Sequence, residues 1–343
     1  KYFYMKRLIL PLFSFIALPS AIQANIDPKV AEICMKAADF QGCIKSMSFP
    51  EKQDSFNKSE FDDALALFKE GSSLRAIKSI NSYLKKNPNS KEGFILSATI
   101  NAYDLGKYDE AIRDIDNAID IDKDYAYAHA LKAEIFYFDL DGSLSKTLEY
   151  LGKGMNLSPE DPFINFIAGD IQYDNGFVVL GGDTNDLSKK PKNKKELSLQ
   201  SFEDATKSFE KTLANIEIFK NPSAEFTFPL GVTYTTNALL GDTKFELFLL
   251  YRDKKDRLME KKYQNEAIEH YTKAISIAPS QEEAEKIELD RDFDLITPAD
   301  LYRARGNVYS WMNNKYKKAC SDWKVSKKLG DEDARANFRD WKC

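Results

Sequence analysis

The sequence predicts an all-α chain in which helical hairpins stack side by side as a solenoid. Three observations predict it. Ala76, Ala111 and Thr147 recur at intervals of 35 and 36 residues. Four residues after each comes an apolar side chain, Ile80, Ile115 and Leu151, and eight further on a chain-breaking position, Pro88, Lys123 and Pro159. A period of that length, marked by a small residue, a large one and a breaker, belongs to two-helix units that cannot bury their apolar faces alone.

The chain opens on Lys1–Tyr4, read as upstream of an initiator at Met5. Lys6 and Arg7 precede the apolar run Leu8–Leu18 and then Pro19-Ser20-Ala21-Ile22-Gln23-Ala24. A basic start, a short apolar core and a small residue at a cleavage point predict a secretory signal peptide cut near Ala24. That run is too short to span a bilayer comfortably. The expected location is therefore extracytoplasmic: periplasmic, another lumenal compartment, or secreted.

The clearest hairpin lies in Glu92–Tyr125. Its turn reads Leu105-Gly106-Lys107-Tyr108-Asp109-Glu110-Ala111-Ile112 and its second helix continues through Ala118, Ile119 and Ile121. This wording resembles the tetratricopeptide repeat (TPR) family, in which glycine serves the inter-helix turn and alanines let the helices approach. The resemblance implies an exported bacterial TPR protein: a TPR-like α-α superhelix of about five to six hairpins, with capping helices and three insertions. Taken in order, residues 25–56 form an N-terminal capping hairpin and linker, since Ala38–Ile44 has the repeat's register with Cys43 at its small position. Residues 57–161 hold repeats 1–3, the first through Gly71, Ala76-Ile77 and Pro88, the third widened near Asp141-Gly142.

Residues 162–243 make a degenerate repeat. Ala168-Gly169 and Tyr173 begin it, its second helix waits until Ser201–Phe219, and the insertions Gly181–Glu196 and Asn221–Thr243 interrupt it. In the second of these, Phe226, Phe228, Val232 and Tyr234 alternate with polar residues, as in a short β-hairpin or a segment draped over a neighbour. Residues 244–330 carry two more repeats. Tyr263–Ile268, Tyr271, Ala274 and Pro279 mark one; Tyr302, Gly306, Tyr309, Ala319 and Trp323 mark the other, with Arg305 where the family has Leu. The third insertion, Ser280–Pro298, is largely acidic. Residues 331–343 read as a polar capping helix after Gly330.

Composition narrows the function. Hydrophobic residues at 43 % with 13 % aromatics are a globular balance. The net charge of −5 becomes −8 without Lys1, Lys6 and Arg7, which argues against nucleic acid. The lysine run Lys189, Lys190, Lys192, Lys194 and Lys195 reads as a charged loop or a docking point for an acidic partner. Four cysteines in an exported chain favour disulfides, with three pairings open. The repeat register supports Cys34–Cys43 and Cys320–Cys343, stapling the two ends. With only His129 and His270, no nucleophilic triad can be assembled, and no catalytic residue, cofactor or metal is expected. Asp120-Ile-Asp122-Lys-Asp124 imitates a calcium loop, yet Tyr125 and Leu131 stand where its Gly and Glu belong. Asp139-Leu-Asp141-Gly142 lacks its first and last ligands.

In the TPR family the first helices of successive hairpins line a concave groove. By position, that implies Tyr103, Asp104, Glu134, Tyr137, Phe138, Asp170, Tyr173, Asp174, Arg303, Asn307 and Trp311 as partner-binding residues. Aromatics interleaved with carboxylates suit a peptide with basic and apolar side chains. Only Arg303 and Asn307 match the family's carboxylate-binding pattern. The expected function is a non-catalytic scaffold or adaptor for a protein or peptide partner, in assembly of envelope complexes with peripheral contact to them. Two rivals stand beside it. One is an all-helical glycan-processing enzyme using Asp183 or Asp186 with Glu225; the other is a self-associating spacer.

Overall fold

The computed structural model describes residues 60–138, 144–180, 193–217, 231–291, 296–312 and 315–343. The signal segment, the N-terminal cap with Cys34 and Cys43, and the residues Asp183, Asp186, Lys189, Lys190, Lys192 and Glu225 lie outside them, as does the turn at Asp139–Gly142. The described residues fall within one unit, Phe56–Cys343.

Among these residues there are fourteen α-helices and no strand: α1 (Glu60–Lys69), α2 (Ser73–Lys86), α3 (Lys91–Thr99), α4 (Tyr108–Ile121), α5 (Ala126–Phe138), α6 (Leu144–Leu157), α7 (Pro162–Leu180), α8 (Lys194–Asn215), α9 (Val232–Asp253), α10 (Arg257–Ser276), α11 (Gln281–Arg291), α12 (Pro298–Ser310), α13 (Tyr316–Lys328) and α14 (Glu332–Asp340). They pair as hairpins α1/α2, α3/α4, α5/α6, α7/α8, α9/α10 and α12/α13, each packed on the next. Helix α11 precedes the last hairpin and α14 packs against α13.

The two helices of a hairpin are built differently. Second helices are amphipathic: α2 buries Ala76, Ile80 and Leu84, and α4 buries Ala111, Ile115 and Ala118, one stripe each. First helices are enclosed on most sides. In α7 every residue from Pro162 to Gly169 is buried, and α5 buries seven in succession, Tyr127 to Ala133, and then Ile135 after the half-buried Glu134. A helix flanked by its own partner and by both adjacent hairpins needs no polar stripe over that length.

Local chemistry sets the boundaries. Gly71 and Gly106 take φ of 75° and 60° at inter-helix turns, a conformation that costs glycine little. Helix α12 starts with a capping box, in which the Asp300 N–H donates to the Thr297 hydroxyl and Asp300 accepts from the Thr297 N–H, with Pro298 in the first turn. Gly330 at φ 105° separates α13 from α14, and Asp331 caps α14 by accepting from the Ala334 N–H at 3.0 Å. A disulfide joins Cys320 to Cys343 across this end.

Three expectations change. The segment around Val232 and Tyr234 is the start of the 22-residue helix α9, not a β-hairpin or a draped loop. Its alternation is short, whereas Tyr234, Ala238, Gly241 and Phe248 follow helical spacing and are buried. Helix α8 begins at Lys194 rather than Ser201, because Leu199 and Phe202 pack in one cluster with Phe248 and Tyr263. The acidic insertion 280–298 contains helix α11.

Candidate peptide-binding face

First helices α5, α7, α9 and α12 touch in succession, α5 on α7, α7 on α9 and α9 on α12. The N-terminal halves of α5 and α7 are consumed by the core. The polar and aromatic residues expected to bind a partner fall from the middle of the first helices to their C-terminal ends.

Tyr103 and Asp104 lie in a π-helical turn, Ile100–Asp104, that extends α3. There the Leu105 N–H reaches back to the Ile100 carbonyl at 3.2 Å, and Asp104 accepts from the Ser73 hydroxyl. Glu134 is half-buried on α5 and Phe138 is 45 % exposed. The Tyr137 hydroxyl donates to Asp174 on α7 at 3.0 Å, which ties two first helices together, and the Tyr137 and Phe138 rings meet edge-on at 4.9 Å. Tyr173 stands edge-on to Phe177 and tilts against Phe202. The structure thus brings Tyr137 and Phe138 to Asp174, with Asp170 beside Asp174 on α7, while the Tyr173 ring meets Phe202 of α8.

The α12 residues behave differently. Arg303 is held by Asp300 at 2.6 Å and Asp331 at 2.7 Å. Asn307 Oδ1 accepts from the Trp323 indole at 3.0 Å and the Asn337 amide at 3.2 Å. Both polar ends are spent inside the last hairpin and its cap. Trp311 is 54 % exposed, with the Arg252 guanidinium 4.1 Å from its ring centre. Arg305, the departure from Leu, makes two 2.8 Å hydrogen bonds to Asp322 of α13.

Asp242 and Glu246, one turn apart on α9, were not among the residues expected from sequence. The Tyr271 hydroxyl of α10 donates to Asp242 at 2.6 Å. Burial pushes the Asp242 carboxyl up to about 6, although the Tyr271 bond and the Arg303 charge pull the other way. Burial, aided by Asp242, pushes Glu246 up to about 7. Burial with the neighbouring charge of Asp174 does the same to Asp170, also about 7. Three first-helix carboxylates are thus held above the usual range chiefly by burial.

Elsewhere the suspected motifs are internally satisfied. Asp120 pairs with Lys123 and Asp122 with Lys91, and no cluster suited to a metal ion occurs among the described residues. His129 contacts the Lys123 carbonyl at 3.0 Å and His270 the Asn237 side-chain oxygen at 3.0 Å. Lys195 pairs with Asp253 at 3.1 Å.

In the last three hairpins with long helices or a cap, a first-helix glycine meets a second-helix aromatic: Gly169 under Phe209, Gly241 under Tyr271 and Gly306 under Trp323. This small-against-large packing, repeated through serial hairpins, fixes the architecture. The fold is a TPR-like solenoid.

No protein-family model matches the chain, and no curated protein matches it. Among solved structures it is similar to PilW, a widely conserved type IV pilus biogenesis factor, at 14 % identity over 81 % of this chain and 96 % of that one, TM-score 0.47. A tetratricopeptide repeat protein from Parabacteroides merdae aligns at 15 % identity over 83 % and 98 %, TM-score 0.32. Yeast Tom70 aligns at 15 % identity over 91 % of this chain and 61 % of that one, TM-score 0.37.

Proposed function

We propose that the protein is a non-catalytic adaptor that holds a polypeptide along the face formed by its first helices. One observation carries this reading: first helices touch in succession, and the Tyr137 hydroxyl of α5 meets Asp174 of α7 beside the exposed ring of Phe138. Exposed aromatic edges such as Phe138 and Trp311 offer apolar contact area, and the carboxylates offer charge. Such a mixture recognises peptide side chains. The residues 331–343 act as a cap in this reading.

An extracytoplasmic site of action follows from two supports, the leader-like N-terminus and the Cys320–Cys343 disulfide, a bond favoured in oxidising compartments. No helix among the described residues is long and apolar enough to cross a membrane. The partner is thus expected to present itself in the extracytoplasmic space.

The test is affinity capture from an extracytoplasmic fraction using the full chain. Phe138→Ala with Trp311→Ala removes two exposed rings without opening the core. The double variant is expected to lose a polypeptide that wild type and the outer-face variant Leu148→Ala both retain. Equal retention by all three contradicts the reading.

A further inference from the structure

Antiparallel hairpins in series put the turn within each pair at one edge of the array and the turn between pairs at the other. In the last three hairpins the within-pair ends touch one another. Lys195 at the start of α8 pairs with Asp253 at the end of α9 at 3.1 Å. The neighbouring Arg252 guanidinium lies 4.1 Å from the ring centre of Trp311, which ends α12. Helices α10 and α13 start from the same turns, at Arg257 and Tyr316, and the Trp341 ring at the end of α14 stands 6.1 Å from that of Tyr316.

Charge divides between the two edges. Residues 194–196, 252–258 and 315–318 hold nine basic residues against three acidic ones, in a chain whose net charge is −5. Two of the three acids are engaged locally: Asp253 pairs with Lys195, and Asp256 caps α10 by accepting from the Leu258 and Met259 N–H groups. Lys254, Arg257, Lys315 and Lys317 are exposed and pair with no carboxylate among the described residues. The turns joining α4 to α5, α6 to α7 and α13 to α14 lie at the opposite edge and reverse the balance. There residues 120–124, 160–161 and 331–333 hold eight acidic residues and one lysine.

Apolar side chains follow the basic charge. Among the described residues from 193 on, six large ones are exposed, and all but Ile277 stand on the basic edge. Leu258 is 80 % exposed. Each sits on its own turn with cations beside it in sequence: Leu258 next to Arg257, Tyr316 between Lys315 and Lys317, Trp341 next to Lys342. An acidic protein would use the charges and leave the scattered apolar tips in water. A bilayer interface uses both, since aromatic and aliphatic tips enter at headgroup depth while cations meet phosphate.

We propose that this basic edge docks peripherally on a bilayer surface bearing anionic lipid. Lysine and arginine side chains meet the headgroups, and Leu258, Tyr316 and Trp341 enter the interface. The attraction is electrostatic at long range and weakens with salt. Docking of this kind leaves the polypeptide-binding reading standing or falling by itself, because it uses the helix ends rather than the first-helix faces; Trp311 alone belongs to both surfaces.

The experiment is flotation of the full chain with vesicles of phosphatidylcholine, alone or mixed in equal parts with phosphatidylglycerol, over a range of salt. Wild type is expected to float with the mixed vesicles, less so as salt rises, and to stay behind with phosphatidylcholine alone. The variant combining Lys254→Glu, Arg257→Glu and Lys317→Glu is expected to bind mixed vesicles about tenfold or more weakly. Leu258→Ser leaves the charge unchanged and is expected to weaken binding severalfold. Lys78→Glu, Lys85→Glu and Lys286→Glu together make the same change in net charge away from this edge and are expected to keep most of the binding. All these side chains are exposed, and melting curves check that each variant folds. Absence of wild-type binding to mixed vesicles overturns the proposal, as does binding without preference for phosphatidylglycerol. Equal flotation by wild type and the edge variant overturns it too, as does an equal loss in the matched-charge variant. Binding of polyglutamate in place of vesicles assigns the edge to an acidic protein and likewise overturns it.

Discussion

Gly241 of α9 lies directly beneath the ring of Tyr271 of α10; a methyl group there would stand 2.5 Å from two ring carbons. The same tyrosine donates from its hydroxyl to Asp242 at 2.6 Å. One side chain therefore closes the fifth hairpin and fixes a first-helix carboxylate.

Gly241→Ala should lower stability by about 1–2 kcal/mol, as overpacking outweighs the gain in helix propensity. Gly152→Ala should do the reverse. It lies within α6 and nothing stands within 4 Å of the added methyl, so stability should rise by about 0.5–1 kcal/mol. Urea unfolding of both variants checks the opposite signs.

Stability should depend on pH in a definite way. Asp170 and Glu246 at about 7 and Asp242 at about 6 lie above the ordinary carboxylate range. The folded state thus holds their protons more tightly than the unfolded one, and stability rises as pH falls from about 8 toward 5. Burial depresses His270 to about 4, so its contribution is lost as pH falls from about 6.5 to 4. The melting temperature of the ligand-free chain should therefore rise as pH falls from 8 to 5, more shallowly below about 6.5, where His270 opposes the carboxylates. A melting temperature that climbs from pH 6 to 8 would refute this balance.

Arg305 and Asp322 have side chains only 15 % and 9 % exposed. Arg305→Leu restores the residue the TPR family uses there but strands Asp322. The single change should cost about 3 kcal/mol, and Asp322→Leu added to it should recover most of the loss. A double-mutant cycle in denaturant measures both.

Cysteine replacement tests the C-terminal staple. The Cys320–Cys343 bond spans 23 residues, and chain entropy gives its loss a cost of about 3 kcal/mol. In a serial array the effect should be local. Amide exchange in α14 should accelerate in Cys343→Ser while α3–α7 keep their protection; equal acceleration throughout would contradict a nearest-neighbour array.

How far the sequence could be read depended on helix length. In the last hairpin Gly306 and Trp323 are 17 residues apart, close to a short repeat, and its two helices and cap were anticipated from spacing. The equivalent pairs Gly241–Tyr271 and Gly169–Phe209 are 30 and 40 residues apart, because α9 and α10 are lengthened and residues 181–192 intervene. Periodicity could not align them, so the first half of α9 was taken into an insertion that ended at Thr243, and Asp242 and Glu246 were not picked out on either side of that boundary. The signal available was the glycine itself, four residues before Phe245 and seven before Phe248. Register placed Arg303 and Asn307 on the face but said nothing of their partners. Those come from Asp331 and Asn337 near and within α14, beyond the repeat pattern.

The most direct test of the central claim is photocrosslinking from the full chain, carrying benzophenone in turn at the exposed positions Phe138, Trp311 and Leu148, in an extracytoplasmic fraction. Crosslinks to one polypeptide from Phe138 and Trp311, and none from Leu148 on the second helix α6, are predicted. Crosslinks from Leu148 alone would contradict it.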